Sequence, residues 1–243
     1  MGEKFGQHFL ASPPVLDKIA KLICGNEHPR VVEIGPGRGV LTERLLECAS
    51  HLTAIEIDPQ LVVYLRMRFT ATPNFDLLHA DAMNVDLAAL QPDIVAGNLP
   101  YYVATPLIER TVRAGLPGVF LIQKEVAERL AAQPGSRDYA YLSVATQLFA
   151  QPKLEFTVRP GAFRPPPKVD SAVVSLRPVD RSSELGVDIE PFLRFLSACF
   201  RQKRKTLRNN LRASYAIDGQ PEAGLRAEQL SLADLASLWR RTS

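Results

Sequence analysis

One tetrapeptide, Asn98-Leu99-Pro100-Tyr101, combines groups that could hold a purine amine. The exocyclic amine of adenine is a poor nucleophile because its lone pair is delocalised into the ring. Two acceptors that grip both amine protons would bias the nitrogen towards a tetrahedral geometry. The side-chain oxygen of Asn98 could be one acceptor, and the backbone carbonyl of Leu99, next to the proline, the other. The ring of Tyr101 offers a flat face for a base taken out of its stack.

A glycine-rich loop, Gly35–Gly39, follows the apolar run Val31–Ile34 and leads directly into a helical pattern. Glycines allow a sharp turn and a close approach to a ligand. A dinucleotide-binding fingerprint would need a further glycine three residues after the second one. In the two possible frames that position is Val40 or Thr42, so both frames fail.

Acidic residues at the ends of successive predicted strands favour S-adenosylmethionine as the cofactor instead. Glu33 lies just before the glycine loop, separated from Gly35 by Ile34, and Glu56 lies about 20 residues further on, where an acid can accept the ribose hydroxyls. Asp81, after the third strand, could hold the adenine amine of the cofactor. The alternative is a glycine turn without a ligand, with acids that only cap helices, as we expect for Asp58. A sulfonium methyl donor requires no general base, so positioning and electrostatics would provide the catalysis.

The elements that must position these residues alternate between strands and helices. Ligands in such sheets bind outside the carboxyl ends of the strands, which places the tetrapeptide at the cofactor pocket. The predicted strands are Val31–Ile34, Leu52–Ile57, Phe75–His79, Asp93–Ala96 and Val119–Ile122, and two late ones are Lys153–Val158 and Ser171–Leu176. The predicted helices are Val40–Cys48, Gln60–Phe69, a segment from Thr105-Pro106 through Arg113, Lys124–Ala132 and Asp138–Phe149. The pattern predicts an α/β fold with a mostly parallel, seven-stranded, Rossmann-like sheet.

After the late strands the composition changes. The proline-rich loop Pro160–Pro167 contains three consecutive prolines, which lack amide donors and force an extended segment at the rim of the sheet. The polar segment Arg181–Asp188 is a candidate linker, and the chain beyond it has helical patterns up to Arg241. We therefore predict a methyltransferase domain over residues 1–180 and a small helical RNA-binding domain over residues 181–243.

A cluster of positive charge lies in the second predicted domain. Between Arg201 and Arg212 there is no acid and there are six cations: Arg201, Lys203, Arg204, Lys205, Arg208 and Arg212. On a helix, Arg204, Arg208 and Arg212 would share one face, where like charges four residues apart oppose helix formation. A polyanionic partner explains this better than a solvated face, which is the alternative. Arg164 and Lys168, beside the proline loop, would extend the phosphate-binding track.

The composition is that of an ordinary globular protein, with 46% hydrophobic and 23% charged residues and a formal net charge of +3. Its cysteines are Cys24, Cys48 and Cys199, whose spacing indicates neither a metal site nor a redox motif, so we expect three thiols in or near a core. No apolar run reaches the ~20 residues that span a bilayer, and the N-terminus lacks an apolar signal region. We expect a cytoplasmic protein without a membrane partner.

Five motifs together resemble those of the ribosomal RNA adenine dimethyltransferases over essentially the whole chain. They are Gly6–Leu10, Glu33–Gly37, Asn98–Tyr101, Phe163–Ser171 and Phe200–Leu207. Gln123–Val126 with Arg129 and Leu130 is similar to the small-subunit branch, the kasugamycin-sensitivity dimethyladenosine transferases. The resemblance implies N6,N6-dimethylation of two adjacent adenosines in the 3′-terminal hairpin loop of small-subunit (16S) ribosomal RNA, late in ribosome assembly.

The resemblance also implies roles for individual residues. The cofactor contacts of the family fall on His8, Leu10, Gly35, Glu56, Asp81 and Asn98, and Gly37 belongs to the same loop. Phe163 would face the target base opposite Tyr101. His8 stands where many members have asparagine, and Tyr102-Val103-Ala104 replaces a more polar stretch.

Two other functions stay open from the sequence. One is a large-subunit adenine N6-methyltransferase of the macrolide-resistance type, against which the segment Gln123–Leu130 argues. The other is an RNA-binding assembly factor without turnover, against which Asn98–Tyr101, Glu56 and Asp81 argue. The partner expected is the small ribosomal subunit, the protein itself is expected to be a monomer, and no metal is expected.

Overall fold

A computed structural model describes residues 8–25 and 27–243. Seven strands form the main sheet: β2 Arg30–Ile34, β3 His51–Glu56, β4 Phe75–His79, β5 Ile94–Asn98, β6 Gly118–Gln123, β7 Ala150–Val158 and β9 Ser171–Pro178. Their order in the sheet is β4-β3-β2-β5-β6-β9-β7. The first five strands in this order are parallel, and β9 runs antiparallel to β6. The predicted mostly parallel, seven-stranded α/β fold is confirmed.

The helices of the first half alternate with these strands. They are α1 Pro13–Cys24, α2 Val40–Leu46, α3 Pro59–Arg68, α4 Ala104–Arg113 and α5 Lys124–Ala131. Asp58 caps α3, since its side chain accepts a hydrogen bond from Gln60 N and Pro59 is the first helical residue. The capping signal predicted at Thr105-Pro106 was wrong, because α4 already begins at Ala104 with Val103 as its N-cap.

The order of the sheet reverses at β2, which pairs with β3 on one side and β5 on the other. The carboxyl ends of the central strands are therefore neighbours, and a crevice opens where the connections diverge. Ile34 ends β2, Glu56 ends β3 and Asn98 ends β5. The glycine loop, the ribose-type acid and the tetrapeptide thus start from one edge of the sheet.

A separate two-stranded ladder lies outside the main sheet. Phe9–Leu10 (β1) pairs antiparallel with Phe163–Arg164 (β8), with Phe9 opposite Arg164 and Leu10 opposite Phe163. As predicted, the proline-rich loop that contains β8 takes no part in the seven-stranded sheet. Its pairing with the N-terminal segment was not predicted. Gly6 and Gln7 of the first family motif lie outside the described residues.

The chain forms two compact units. The first comprises the described residues up to Ala127 together with Lys153–Arg177, and the second comprises Glu128–Pro152 and Pro178–Ser243. The boundary predicted after residue 180 stays a prediction; the segment 128–152, which we had assigned to the first domain, clusters with the second unit. Buried Leu45, Leu52 and Val173 belong to the core of the first unit. Phe192, Phe195 and Leu235 belong to that of the second.

The second unit contains five helices in its described part. They are α6 Tyr141–Phe149, α7 Arg181–Leu185, α8 Ile189–Cys199, α9 Leu207–Leu211 and α10 Leu232–Thr242. The linker predicted at Arg181–Asp188 was wrong for its first half. Asp180 caps α7 through Ser183 N, and Gly186 ends it in the left-handed conformation.

The expectation of three thiols was wrong for two of the cysteines. Cys24, at the end of α1, and Cys48, just after α2, form a disulfide, whereas Cys199 is free and buried. Their separation of 24 residues is not a recognisable motif, and only the packing of α1 against α2 brings them together. Separately, no helix in the described ranges is both long and apolar enough to cross a bilayer.

Candidate active site

A cavity of about 220 Å³ opens at the carboxyl ends of the central strands. Residues from every predicted cofactor and catalytic segment line it: His8, Leu10, Gly35, Gly37, Glu56, Asp81, Asn98–Tyr101 and Phe163. The residues that the sequence predicted to share one site therefore line one cavity. Their individual roles in binding and catalysis remain proposals.

The side-chain amide of Asn98 has one clear orientation. Its Nδ2 donates a hydrogen bond of 2.9 Å to the backbone carbonyl of His8. A carbonyl oxygen accepts and never donates, so the atom facing His8 must be the amide nitrogen. Among the described residues nothing donates to Oδ1 of Asn98, which is therefore an available acceptor at the half-buried end of β5.

The backbone beside Asn98 also has an available acceptor. The carbonyl of Pro100 accepts a hydrogen bond from Val103 N at 3.1 Å, and Leu99 N donates to Leu121 O, also at 3.1 Å. Within the described part of the chain, no hydrogen bond to the carbonyl of Leu99 is formed. Of the two carbonyls in this turn, that of Leu99 is therefore the one left for a ligand, as the sequence suggested.

Two aromatic rings line the same cavity as this acceptor pair. The Tyr101 hydroxyl is 3.2 Å from Ser171 Oγ on β9, which limits the orientation of its ring. Phe163 lies in β8 and is only 1% exposed, although it lines the cavity. The surfaces on which a base could stack thus come from segments far apart in the sequence.

His8 connects the N-terminal segment to the rest of the pocket. Its ring nitrogen Nδ1 donates to the carbonyl of Pro165 at 3.0 Å, and its ring centroid lies 5.9 Å from that of Tyr101. Its backbone carbonyl accepts from Asn98, as described above. His8 therefore contacts both the tetrapeptide and the proline loop.

The glycine loop turns around the carboxylate of Glu56. Glu56 Oε2 accepts from Gly37 N at 3.2 Å, and Oε1 accepts from Ile57 N and Asp58 N, each at 2.9 Å. Gly37 has a φ of +59°, and a Cβ there would be 2.9 Å from the ring of Phe9. Only glycine fits both the conformation and the space. The backbone of this loop thus lines the cavity without a side chain at Gly37.

Asp81 and Leu10 complete the predicted cofactor set. Asp81 caps a short 3₁₀ helix, Ala82–Asn84, because its Oδ1 accepts from Met83 N at 2.9 Å. Its second carboxylate oxygen makes no hydrogen bond within the described residues. Leu10 is 2% exposed and contributes an apolar surface.

Glu33, predicted only as the acid before the glycine loop that favours S-adenosylmethionine, is itself a pocket residue. It is 1% exposed, lines the cavity, and accepts a 2.6 Å hydrogen bond from the buried hydroxyl of Thr42 on α2. Burial raises the pKa of Glu33 to about 7, opposed by the Thr42 hydrogen bond and assisted by the nearby charge of Glu56. The signal was its position, an acid inside an apolar strand directly before the glycine loop.

This pKa predicts how the ligand-free protein responds to pH. Native Glu33 holds its proton up to about pH 7, whereas the unfolded chain loses it near 4.5. The free energy of unfolding should therefore fall as pH rises between these values, by on the order of 3 kcal/mol from this residue. Urea unfolding at several pH values should show that Glu33→Gln flattens this slope. An unchanged slope would contradict the assignment.

The basic stretch does not form the single helix that was predicted. After α8 ends at Cys199, residues 201–206 turn, and α9 begins only at Leu207, so Arg204 precedes the helix. The side-chain amide of Asn210 donates to the carbonyls of Cys199 and Gln202, which stabilises this turn. The prediction that Arg204, Arg208 and Arg212 share a helix face was wrong.

All six cations of the stretch are nevertheless exposed. Arg208 pairs with Asp218 at 3.1 Å, and Lys203 donates to the carbonyl of Arg137. In the described part of the chain the other four make no side-chain hydrogen bond or ion pair: Arg201, Arg204, Lys205 and Arg212. Arg164 donates to carbonyls of its own loop, whereas Lys168 is exposed.

Comparison with protein families gives one match over most of the chain. The sequence model of the family described as "Ribosomal RNA adenine dimethylase" matches residues 2–226. The "Ribosomal RNA small subunit methyltransferase A" of Acidobacterium capsulatum is 46% identical over 253 residues, covering 98% of this chain and 89% of that protein. The protein of the same name from Pseudomonas aeruginosa is 40% identical over 248 residues, covering 97% and 92%.

Solved structures extend the likeness to three dimensions. A dimethyladenosine transferase from Plasmodium falciparum has a TM-score of 0.81 at 27% identity, covering 95% of this chain and 96% of that one. The 23S rRNA methyltransferase ErmE has a TM-score of 0.71 at 23% identity, covering 96% and 98%. At that identity the second likeness concerns the fold alone.

Proposed function

The chain belongs to the ribosomal RNA adenine dimethylase family, and on this basis we propose that it dimethylates small-subunit ribosomal RNA. It is a methyltransferase that uses S-adenosylmethionine. Its targets would be the N6 amines of two adjacent adenosines in the 3′-terminal hairpin loop of 16S RNA, each of which would receive two methyl groups late in subunit assembly.

The observation that carries this proposal is a pair of acceptors in a cavity that two aromatic rings also line. Within the described residues nothing donates to Asn98 Oδ1, since Nδ2 bonds His8, and nothing donates to the Leu99 carbonyl, since Val103 bonds Pro100. Two acceptors suit the two protons of an adenine amine, and by favouring a tetrahedral nitrogen they take its lone pair out of conjugation with the ring. A ring amide nitrogen carries a single proton and would leave one of the two acceptors without a donor.

The residues of this pocket would act by positioning. Tyr101 and Phe163 would hold the extruded base between their rings, and stacking of this kind contributes about 1–3 kcal/mol per base. Asn98 and Leu99 would then aim the amine lone pair into the cavity. Because these groups need no rearrangement during the reaction, the rate enhancement would come from preorganised geometry.

The cavity also fits the cofactor. The carboxylate of Glu56 accepts three backbone amides, so Oε2 keeps a lone pair for a ribose hydroxyl. Gly37, which has no side chain, lines the same cavity. When bound, S-adenosylmethionine supplies an electrophilic methyl group on its sulfonium. We assign Glu56 to the ribose, Asp81 to the adenine amine of the cofactor, and His8, Leu10 and Gly35 to the remaining contacts.

The small-subunit substrate is favoured over the large-subunit one by the sequence relatives. Proteins named as small-subunit methyltransferases are 40–46% identical over nearly the full length, whereas the likeness to ErmE is 23% identical. A role as a non-catalytic assembly factor is disfavoured, because both acceptors and the Glu56 loop are intact.

We assign the phosphate contacts to the exposed basic stretch, together with Arg164 and Lys168 beside the proline loop. The double variant Arg204→Gln/Lys205→Gln should bind small-subunit RNA more weakly at low salt. The slope of log K against log salt should become shallower by roughly 0.7–0.9 for each phosphate that is no longer neutralised. Filter binding over a range of salt concentrations measures both quantities. Arg194→Gln, an exposed cation on α8, is the control for loss of charge; an equal change in that variant would argue against the assignment.

The proposed function itself is tested by substrate choice. The purified protein is incubated with tritiated S-adenosylmethionine and either unmethylated small subunits or large subunits, and the RNA is digested to nucleosides. We expect labelled dimethyladenosine from small subunits alone. Label only in large-subunit RNA would assign the protein to the resistance-type enzymes. Binding of both RNA and cofactor without any label would support the assembly-factor function.

A further inference from the structure

Two buried carboxylates face the cofactor pocket, and they are compensated very differently. Glu56 accepts three backbone amide hydrogen bonds. Glu33 accepts one, from Thr42, and no cation pairs with it within the described residues. A buried carboxylate with a single donor is costly to ionise. Glu33 is therefore the group whose charge would respond most to a ligand in the cavity.

The other charged groups near Glu33 do not compensate it. The charge of Glu56 raises the pKa of Glu33 by repulsion. Asp81 and His8 lie on the same cavity. On α2, the charges of Glu43 and Arg44 are taken up by Arg68 and Asp17 at the surface. β5 contributes Ile94–Asn98, a segment without a charged residue. Among the described residues no cation pairs with Glu33, so a cationic ligand in the cavity would supply the charge that neutralises it.

The two forms of the cofactor differ in just this respect. S-adenosylmethionine carries a sulfonium charge, whereas S-adenosylhomocysteine, left after methyl transfer, has a neutral thioether. We propose that Glu33 distinguishes the methyl donor from the spent product by releasing its proton when the donor binds and retaining it when the product binds. The O–H bond of the Glu33 carboxyl breaks and the proton passes to bulk water. This inference rests on the proposed function, since it requires that cofactor.

The raised pKa of Glu33, about 7, places this exchange in the neutral range. At pH 7 a group with that pKa is about half protonated, so donor binding can release up to about half a proton. The preference for donor over product should rise by up to about tenfold between about pH 6 and pH 8, since only the ionised carboxylate attracts the sulfonium. As this preference rises with pH, exchange of the spent product for a new donor would be favoured as well.

Calorimetric titration tests the proposal without measuring turnover. The complete protein is titrated with S-adenosylmethionine and with S-adenosylhomocysteine at neutral pH, in two buffers of different ionisation enthalpy, which gives the protons released. Each compound is also titrated into Glu33→Gln, so that protons from the compound itself cancel. We expect the wild type, relative to this variant, to release up to about half a proton more with the donor than with the product.

Thr42→Val supplies an independent variant that keeps the Glu33 carboxyl. It removes the only described hydrogen bond to the carboxylate, so the pH at which most protons are released should move upward, whereas Thr42→Ser should leave it in place. Equal proton release for both compounds in the wild type, or an unchanged difference in Glu33→Gln, would overturn the inference. A wild-type protein that binds neither compound would overturn the proposed function, and the inference with it.

Discussion

Replacing Asn98 by alanine should reduce methyl transfer by about 10²–10³-fold while the protein still binds S-adenosylmethionine, because one of two preorganised acceptors is removed. The carbonyl of Leu99 alone would accept one amine proton and leave the other without an acceptor. Single-turnover rates with unmethylated small subunits measure the chemical step, and calorimetry measures cofactor affinity. We expect the affinity to change far less than the rate.

Asn74→Ala is the matched control for this variant. Asn74 also uses its side-chain amide to bond a backbone carbonyl, that of Ala49 at 3.2 Å, but it does not line the cavity. Its replacement should affect stability and leave the rate nearly unchanged. Near-normal turnover in Asn98→Ala would show that the catalytic centre has been assigned to the wrong residue.

Replacing Glu56 by glutamine should weaken S-adenosylmethionine binding by about a hundredfold, or about 3 kcal/mol. The carboxylate accepts three backbone amides and is assigned to the ribose as well. An amide group has one acceptor oxygen, and its NH₂ would oppose at least one of the backbone donors. Equilibrium binding of the cofactor, measured without RNA, is sufficient to detect this effect.

Asp58→Ala separates this effect from damage to the neighbouring helix. Asp58 caps α3 through Gln60 N at 2.8 Å, so its replacement should cost about 1 kcal/mol of stability. Cofactor affinity should stay within a fewfold of the wild-type value. Comparable reductions of affinity in both variants would mean that the loop is merely destabilised and that Glu56 makes no special contact.

Local patterns were sufficient for most of the sheet. The strand Phe75–His79 has its predicted bounds, and Asp58-Pro59 opens α3 as expected. These signals depend on a few adjacent residues, such as an apolar run, a capping side chain or a proline. Tertiary contacts do not override these local preferences here. The candidate site followed from the same logic, because parallel strands bring their carboxyl ends together wherever they lie in the sequence.

What the sequence did not predict depends on contacts between distant residues. The Cys24–Cys48 disulfide requires α1 to pack on α2, and the pairing of Phe9–Leu10 with Phe163–Arg164 requires the whole first unit. The break before α9 depends on Asn210 reaching back to Cys199 and Gln202. The orientation of the Asn98 amide depends on the carbonyl of His8. No local pattern contains such information.

The ladder between β1 and β8 has a consequence for how the protein reaches its active form. The contact of His8 with Pro165 spans 157 residues, and closing so long a loop costs about 4 kcal/mol of chain entropy before the two residues can meet. We therefore expect this ladder to form late in folding, after the parallel strands. During synthesis, the glycine loop and the tetrapeptide emerge from the ribosome well before Phe163. A nascent chain could thus fold around the cofactor pocket long before it could hold a base.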